Sequence, residues 1–148
     1  MLVRLMYASR AATGMDQEEL LAILRKSKAA NPARGITGVL CYSEAGESRD
    51  GLFVQVLEGG RSAVNRLYQR IVADARHHDI ELMLYEEIGE RRFAGWAMGQ
   101  VNLSRLNPSM LLKYSATATL DPFAMSGSAT MALFEELVAT ASVVGPCS

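Results

Sequence analysis

Little in this chain could staple it or bind a metal. It has two cysteines and two histidines in 148 residues. Cys41 sits in a strand-like stretch and Cys147 beside the C-terminus, a spacing that makes neither a disulfide framework nor a zinc site. A reduced, cytoplasmic protein is the expectation. His77 and His78 lie far along the chain from either cysteine, so a nucleophile–base pair, and with it a small hydrolase, lacks support. The net charge is only −1, which removes the electrostatic basis for a nucleic-acid or anionic-membrane partner. No run of about eighteen apolar residues is available to span a bilayer. The N-terminus, MLVRLMYAS, is too short and too early-charged for a signal peptide. A glycine-rich phosphate loop of the Rossmann kind is also missing.

Apolar residues, in contrast, make up 49% of the chain, enough to bury a core within one domain. Their periodicity orders the elements. Residues 2–9, LVRLMYAS, are apolar on both faces, as in a central strand, with Val3, Leu5, Tyr7 and Ser9 on one face. Asp16 is a plausible cap for a helix through QEELLAILRKSKAA. Leu20, Leu24, Ser27 and Asn31 form one stripe that starts apolar and ends polar. Asn31-Pro32 reads as the helix stop, because the residue before proline avoids the α region. Residues 35–43 form a second strand, and EAGESRDG, residues 44–51, a polar hairpin loop. The third strand, GLFVQVLE at 51–58, puts Gln55 on the same face as Phe53 and Leu57. A carboxamide there needs partners, whether a neighbouring backbone group, water or a ligand.

Ser62 is a candidate cap for a second helix with an apolar face of Val64, Leu67, Tyr68 and Ile71. Arg70 and Asp74 have the i,i+4 spacing of a helical ion pair. Arg76, His77 and His78 would close that helix and favour its dipole. IELMLYEEI, residues 80–88, is a fourth strand. RRFAGWAMGQVNL reads as a turn and a last strand with Trp96 and Met98 on a shared face. Beyond residue 104 the chain reads as a short helix near 105–112, a loop through Asp121-Pro122 and an amphipathic helix near 126–142. Such pieces must pack on the domain or on a partner chain.

The order is β-α-β-β-α-β-β: an α+β fold of the ferredoxin-like type, with two helices on one face of the sheet, plus C-terminal helices. A groove between the helices and over the sheet would be lined by Tyr7, Ser27, Asn31, Gln55 and Arg70. Polar tips converging in an apolar groove suit a flat ligand with a polar edge. The same fold also carries RNA-binding modules, which need exposed aromatics on the sheet and a basic stripe. Here Phe53 is present, but neither an aromatic run nor a basic stripe accompanies it.

Five segments in order resemble the BLUF family, blue-light sensors that use FAD: LMYAS, NPARGITGVLCYS, LFVQVLEG, IVADARHHD and RRFAGWAM. The resemblance covers residues 1–103, and LLKYSATATLDPFAM is similar to the C-terminal extension of short, stand-alone members. It implies a flavin-binding domain at 1–103 and a helical extension at 104–148. It further implies FAD between the two helices, with Tyr7 as electron and proton donor to the excited flavin. Gln55 would be the switching glutamine, which turns or tautomerises and alters the hydrogen bond to the flavin C4 carbonyl. Asn31 and Ser27 match positions at the ring, Arg70 the C2 carbonyl side, and Asp74, Arg76 and His77 the ribityl and phosphate end. Trp96 and Met98 match the last-strand pair linked to signalling. A non-enzymatic photoreceptor is implied, acting through a homo-oligomer or a downstream partner protein. Two positions depart from the family pattern. Ala30 stands where members often have a polar residue, and the loop at 44–51 is longer than in compact members.

Overall fold

A computed structural model of the chain describes residues 1–12, 17–43, 51–118 and 120–140. Five strands are present among them: β1 (Leu2–Ala11), β2 (Thr37–Ser43), β3 (Leu52–Gly60), β4 (His77–Ile88) and β5 (Gly99–Asn102). Helices α1 (Gln17–Arg34) and α2 (Arg61–Ala73) interleave with them, and α3 (Pro108–Leu112) and α4 (Gly127–Ala139) follow. The sheet order is β4-β1-β3-β2-β5. The first four strands pair antiparallel, and β5 runs parallel to β2. This is the ferredoxin-like order, with β1 and β3 at its centre.

The two central strands are apolar on both faces because both faces are covered. On one side Val3, Leu5, Tyr7, Phe53 and Leu57 pack with Leu20 and Leu24 of α1 and Val64 of α2. On the other, Met6, Ala8, Val54 and Val56 pack with Leu111 of α3 and Met131, Leu133, Phe134 and Leu137 of α4. The C-terminal segment therefore supplies the second layer of the core. At Gly127 the start of α4 lies so close to β4 that a Cβ would come within 2.5 Å of the Met83 carbonyl oxygen. Only glycine permits that approach.

Several elements differ from the sequence reading. Helix α1 does not stop at Asn31-Pro32 but runs on through Pro32 to Arg34. It closes at Gly35, whose φ of +67° lets the Gly35 N–H reach the Pro32 carbonyl and the Ile36 N–H reach the Asn31 carbonyl. That double closure satisfies the last carbonyls and outweighs the local bias against helix before proline. Gly35 thus belongs to the helix cap, and β2 starts only at Thr37. Ser62 does not cap α2: the N-cap is Gly60, and Ser62 is an exposed residue inside the helix. Helix α2 ends at Ala73, so Arg76, His77 and His78 lie beyond it, and β4 begins at His77 rather than Ile80. The short helix near 105–112 is a 3-10 turn, Leu103–Arg105, followed by α3, which Asn107 caps and Pro108 opens. A second 3-10 turn, Pro122–Ala124, lies in the expected loop, and Ser126 caps α4 through the Ala129 N–H. The proposed Asp16 cap and residues 44–50 of the hairpin loop lie outside the described residues.

Candidate functional site

In the β1–β3 ladder Tyr7 stands directly opposite Gln55. Both side chains point toward α1 and α2, and both are buried. The Tyr7 hydroxyl donates to Gln55 Oε1. The Gln55 amide in turn donates to Met98 Sδ at 3.2 Å. Asn31, 1% exposed in the last turn of α1, donates from Nδ2 to the Ala97 carbonyl at 2.7 Å. Ala97 and Met98, just before β5, are therefore held by α1 and by the sheet respectively.

Above this polar floor is a groove of about 220 Å³ between the two helices. All eight residues named for cofactor binding line it: Tyr7, Ser27, Asn31, Gln55, Arg70, Asp74, Arg76 and His77. Ala30 lines it as well, adding a methyl where a polar group could have stood. The apolar walls come from Ile23, Leu40, Phe53, Leu67 and Ile71, and the cations Lys26 and Arg34 join Arg70 and Arg76 in the lining. Sequence reasoning missed Lys26 and Arg34, yet Ile23, Ser27, Ala30 and Arg34 form a second stripe beside the one through Leu20 and Asn31. Reading both stripes would have found Arg34.

Asp74 does not pair with Arg70. Helix α2 ends before Asp74, whose backbone is extended, so its side chain leaves the i,i+4 position. It pairs instead with Arg76 at 2.5 Å, and that hydrogen bond holds its pKa down at about 2. Four cations thus line the groove with one carboxylate, itself engaged by Arg76. His77 lies between β1 and α2. Because the Ile71 carbonyl can only accept, Nε2 is the donor at 2.5 Å, and Nδ1 accepts from the Ser9 hydroxyl at 2.7 Å. Trp96 and Met98 do not share a face. Both precede β5 in irregular backbone, where alternation does not apply. Met98 packs in the core beneath α1 and α2, and Trp96 packs against the core beneath α3 and α4.

Burial, aided by Tyr68 and Asp74, pushes the Tyr7 phenol well above its ordinary pKa. The folded state therefore favours the protonated form. Its contribution is whole below the unfolded pKa of about 10 and is lost as pH rises toward the folded value, at up to about 1.4 kcal/mol per pH unit. Wild type should lose stability relative to Tyr7→Phe above about pH 10, measured by urea unfolding of both proteins across that range. Parallel curves would place the phenol in water.

The groove thus offers apolar walls, a donor–acceptor floor and a cationic lining. A flat group with a polar edge and an anionic end fits all three. A family model described as sensors of blue-light using FAD matches residues 2–99. The chain belongs to the BLUF family. Photoactivated adenylate cyclase subunit alpha of Euglena gracilis is 41% identical over 90 residues, 61% of this chain and 8% of that protein. The beta subunit of Euglena longa is 38% identical over 98 residues, 66% of this chain and 11% of that protein. The chain therefore spans about a tenth of the curated relatives it matches. Among solved structures, BlrB, a BLUF protein in its dark state, superposes with a TM-score of 0.76 at 31% identity, covering 95% of this chain and 96% of that one. BlsA in its photo-activated state gives 0.79 at 30% identity, covering 93% and 95%. The chromophore of BLUF sensors is FAD. Among the described residues no helix is long and apolar enough to cross a membrane.

Proposed function

We propose that this BLUF chain is a photoreceptor whose α1/α2 groove holds FAD non-covalently and whose switch is the pair Tyr7 and Gln55. Bound FAD supplies absorption of blue light and an excited ring that accepts an electron. The residues present fit it. The apolar walls suit the ring faces, Asn31, Ser27 and the Gln55 carboxamide suit its polar edge, Arg70 suits the C2 carbonyl side, and Arg76, Lys26 and Arg34 suit the diphosphate. Asp74 orients Arg76, and His77 closes the side of the groove against β1.

One observation carries the reading: Gln55 bridges Tyr7 and Met98 through opposite ends of one carboxamide. Tyr7 already directs its proton at Gln55 Oε1 and is a competent donor once that proton has somewhere to go. If the carboxamide reverses, its NH₂ can still donate to the Tyr7 oxygen, but its oxygen then faces the Met98 sulfur, which has no proton to give. The turn keeps one bond and breaks the other. Met98 thus registers the orientation of Gln55 without any backbone movement in β3, which suits a switch.

From Met98 the change passes to Trp96 and on to α3 and α4. We divide the roles accordingly, with light detection in residues 1–103 and output in 104–148. The relatives that carry this domain include photoactivated and light-regulated adenylate cyclases. We infer that here the domain is a sensor, not an enzyme, and that it acts in the cytoplasm through a homo-oligomer contact or a downstream protein. The size of the output is the differential affinity of the two states for that partner. RNA binding is not an alternative, because both faces of the sheet are covered and Phe53 is buried. A Ser9–His77 hydrolase fails too, since Ser9 is fully buried.

The test is the visible spectrum of the purified protein in the dark and just after blue light. An oxidised-flavin spectrum that shifts slightly to the red and recovers in the dark is expected. A protein that stays colourless after incubation with FAD overturns the reading.

A further inference from the structure

The buried carboxylate of Glu58 faces away from the groove, yet it belongs to the same strand as Gln55. It is 0% exposed. Oε1 accepts from the Phe93 N–H at 2.8 Å, and Oε2 from the Arg92 N–H at 3.1 Å. Oε2 also meets the Arg4 guanidinium through Nε at 2.9 Å and the terminal nitrogen at 2.8 Å. Arg4 spends its remaining arm on Glu86 at 2.7 Å. Both oxygens of this buried anion are thus engaged, and two of its four contacts are with backbone amides of one irregular segment, residues 91–98.

That segment is the strap that carries Met98. Its first residue, Arg91, is tied to the Gly35 carbonyl at 2.7 Å and to Thr37 Oγ1 at 3.0 Å. Phe93 and Trp96 then pack with the core beneath α3 and α4. The Gly38 N–H holds the Trp96 carbonyl at 2.9 Å. The strap next crosses to the other side of the sheet, where Asn31 takes the Ala97 carbonyl and Gln55 takes the Met98 sulfur. Only the Gln55 contact depends on a side chain that the photosensor reading turns. The others form a fixed frame, in which Glu58, paired with Arg4, is a fully buried charge.

We propose that Glu58, with Arg4 behind it, is the positioning residue that holds the 91–98 strap so that Met98 returns to Gln55. This rests on the photosensor reading for its consequence, though not for its geometry. When Met98 loses Gln55, the strap moves against a start fixed at Arg92 and Phe93. That fixed start makes the displaced position costly and drives the return. Loosening it makes the displaced position cheaper, so dark recovery slows.

Two variants test this. Glu58→Asp keeps the charge opposite Arg4 but draws the carboxylate back from the two amides by one methylene. Glu58→Gln keeps the length and turns an N–H donor toward other donors. Glu86→Gln is the control, since it removes the charge of the other partner of Arg4 and leaves the strap bonds intact. Trp96 is the only tryptophan in the chain, so its emission reports the strap directly, with or without FAD. In flavin-free protein, Trp96 emission should shift to the red in Glu58→Asp and Glu58→Gln but not in Glu86→Gln. In FAD-loaded protein, recovery of the light-induced absorbance shift should slow about tenfold in Glu58→Asp, the equivalent of about 1.4 kcal/mol in the barrier. Unmoved emission in the Glu58 variants overturns the proposal, as does a shifted emission with wild-type recovery. Should wild type itself show no light response, the photosensor reading fails, and the emission alone then decides whether Glu58 holds the strap. If Glu58→Gln does not fold, Glu58→Asp decides.

Discussion

In the Gln55→Leu variant blue light should produce no absorbance shift, while the protein stays yellow. Leu is close to Gln in size, and the rest of the groove, from Asn31 to the apolar walls and the cations, is untouched. What disappears is the carboxamide that hydrogen-bonds to both Tyr7 and Met98. The stability cost should be modest. Leaving the Tyr7 hydroxyl without a partner costs about 1–3 kcal/mol, partly offset by the apolar burial gained. Tyr7→Phe should give the same silent spectrum by a different route, since it keeps the bond from Gln55 to Met98 and removes the hydroxyl of the proposed electron and proton donor. The measurement is a light-minus-dark difference spectrum at matched flavin content. A wild-type shift in either variant would remove Tyr7 and Gln55 from the mechanism and leave them as pocket wall.

This pair also shows how far the sequence could be read. Alternation in β1 and β3 put Tyr7 and Gln55 on the correct face, because central strands buried on both sides keep regular geometry. That they stand opposite each other is a matter of register, which the pairing of the two strands sets and no local pattern encodes. Strand alternation and the helix stripe put Tyr7, Ser27, Asn31 and Gln55 in the groove with Arg70, the resemblance alone added Asp74, Arg76 and His77, and all eight line it. Trp96 and Met98 were misplaced for a specific reason. The alternation assumed for them requires a strand, and residues 91–98 are irregular backbone held by Glu58, Gly38 and Asn31 from distant parts of the chain. Long-range side-chain bonds of this kind leave no periodic trace. Pro32 misled for the opposite reason: a true local bias was overridden by the closure at Gly35. Asp74 shows a third case, in which an i,i+4 spacing lost its meaning because the helix ended first.

Phe134→Ala should be among the most destabilising single changes in the chain, though it lies on the far side of the sheet from the groove. The ring is 0% exposed and packs in the core shared by α3, α4 and the back of the sheet. Emptying such a site costs about 3–5 kcal/mol, a large part of the 5–15 kcal/mol that holds a typical domain together. The form of the transition matters as much as its midpoint. Met6, Val39, Val54 and Val56 pack under α4, and these residues alternate along their strands with Leu5, Tyr7, Leu40 and Gln55. A loss on one face is therefore a loss for the strands that shape the other. Denaturation of Phe134→Ala should remain a single step, with helix content and flavin absorbance lost together at a lower denaturant concentration. If α4 melted first while the flavin signal held, the C-terminal helices would be an appendage, and a change at Met98 could reach them only through the strap. Coincident loss would mean that the groove and the C-terminal helices share one cooperative unit. In that unit a shift of Trp96 or Phe93 is felt by α4 through packing, because that part of the strap lies in the same core that Phe134 fills.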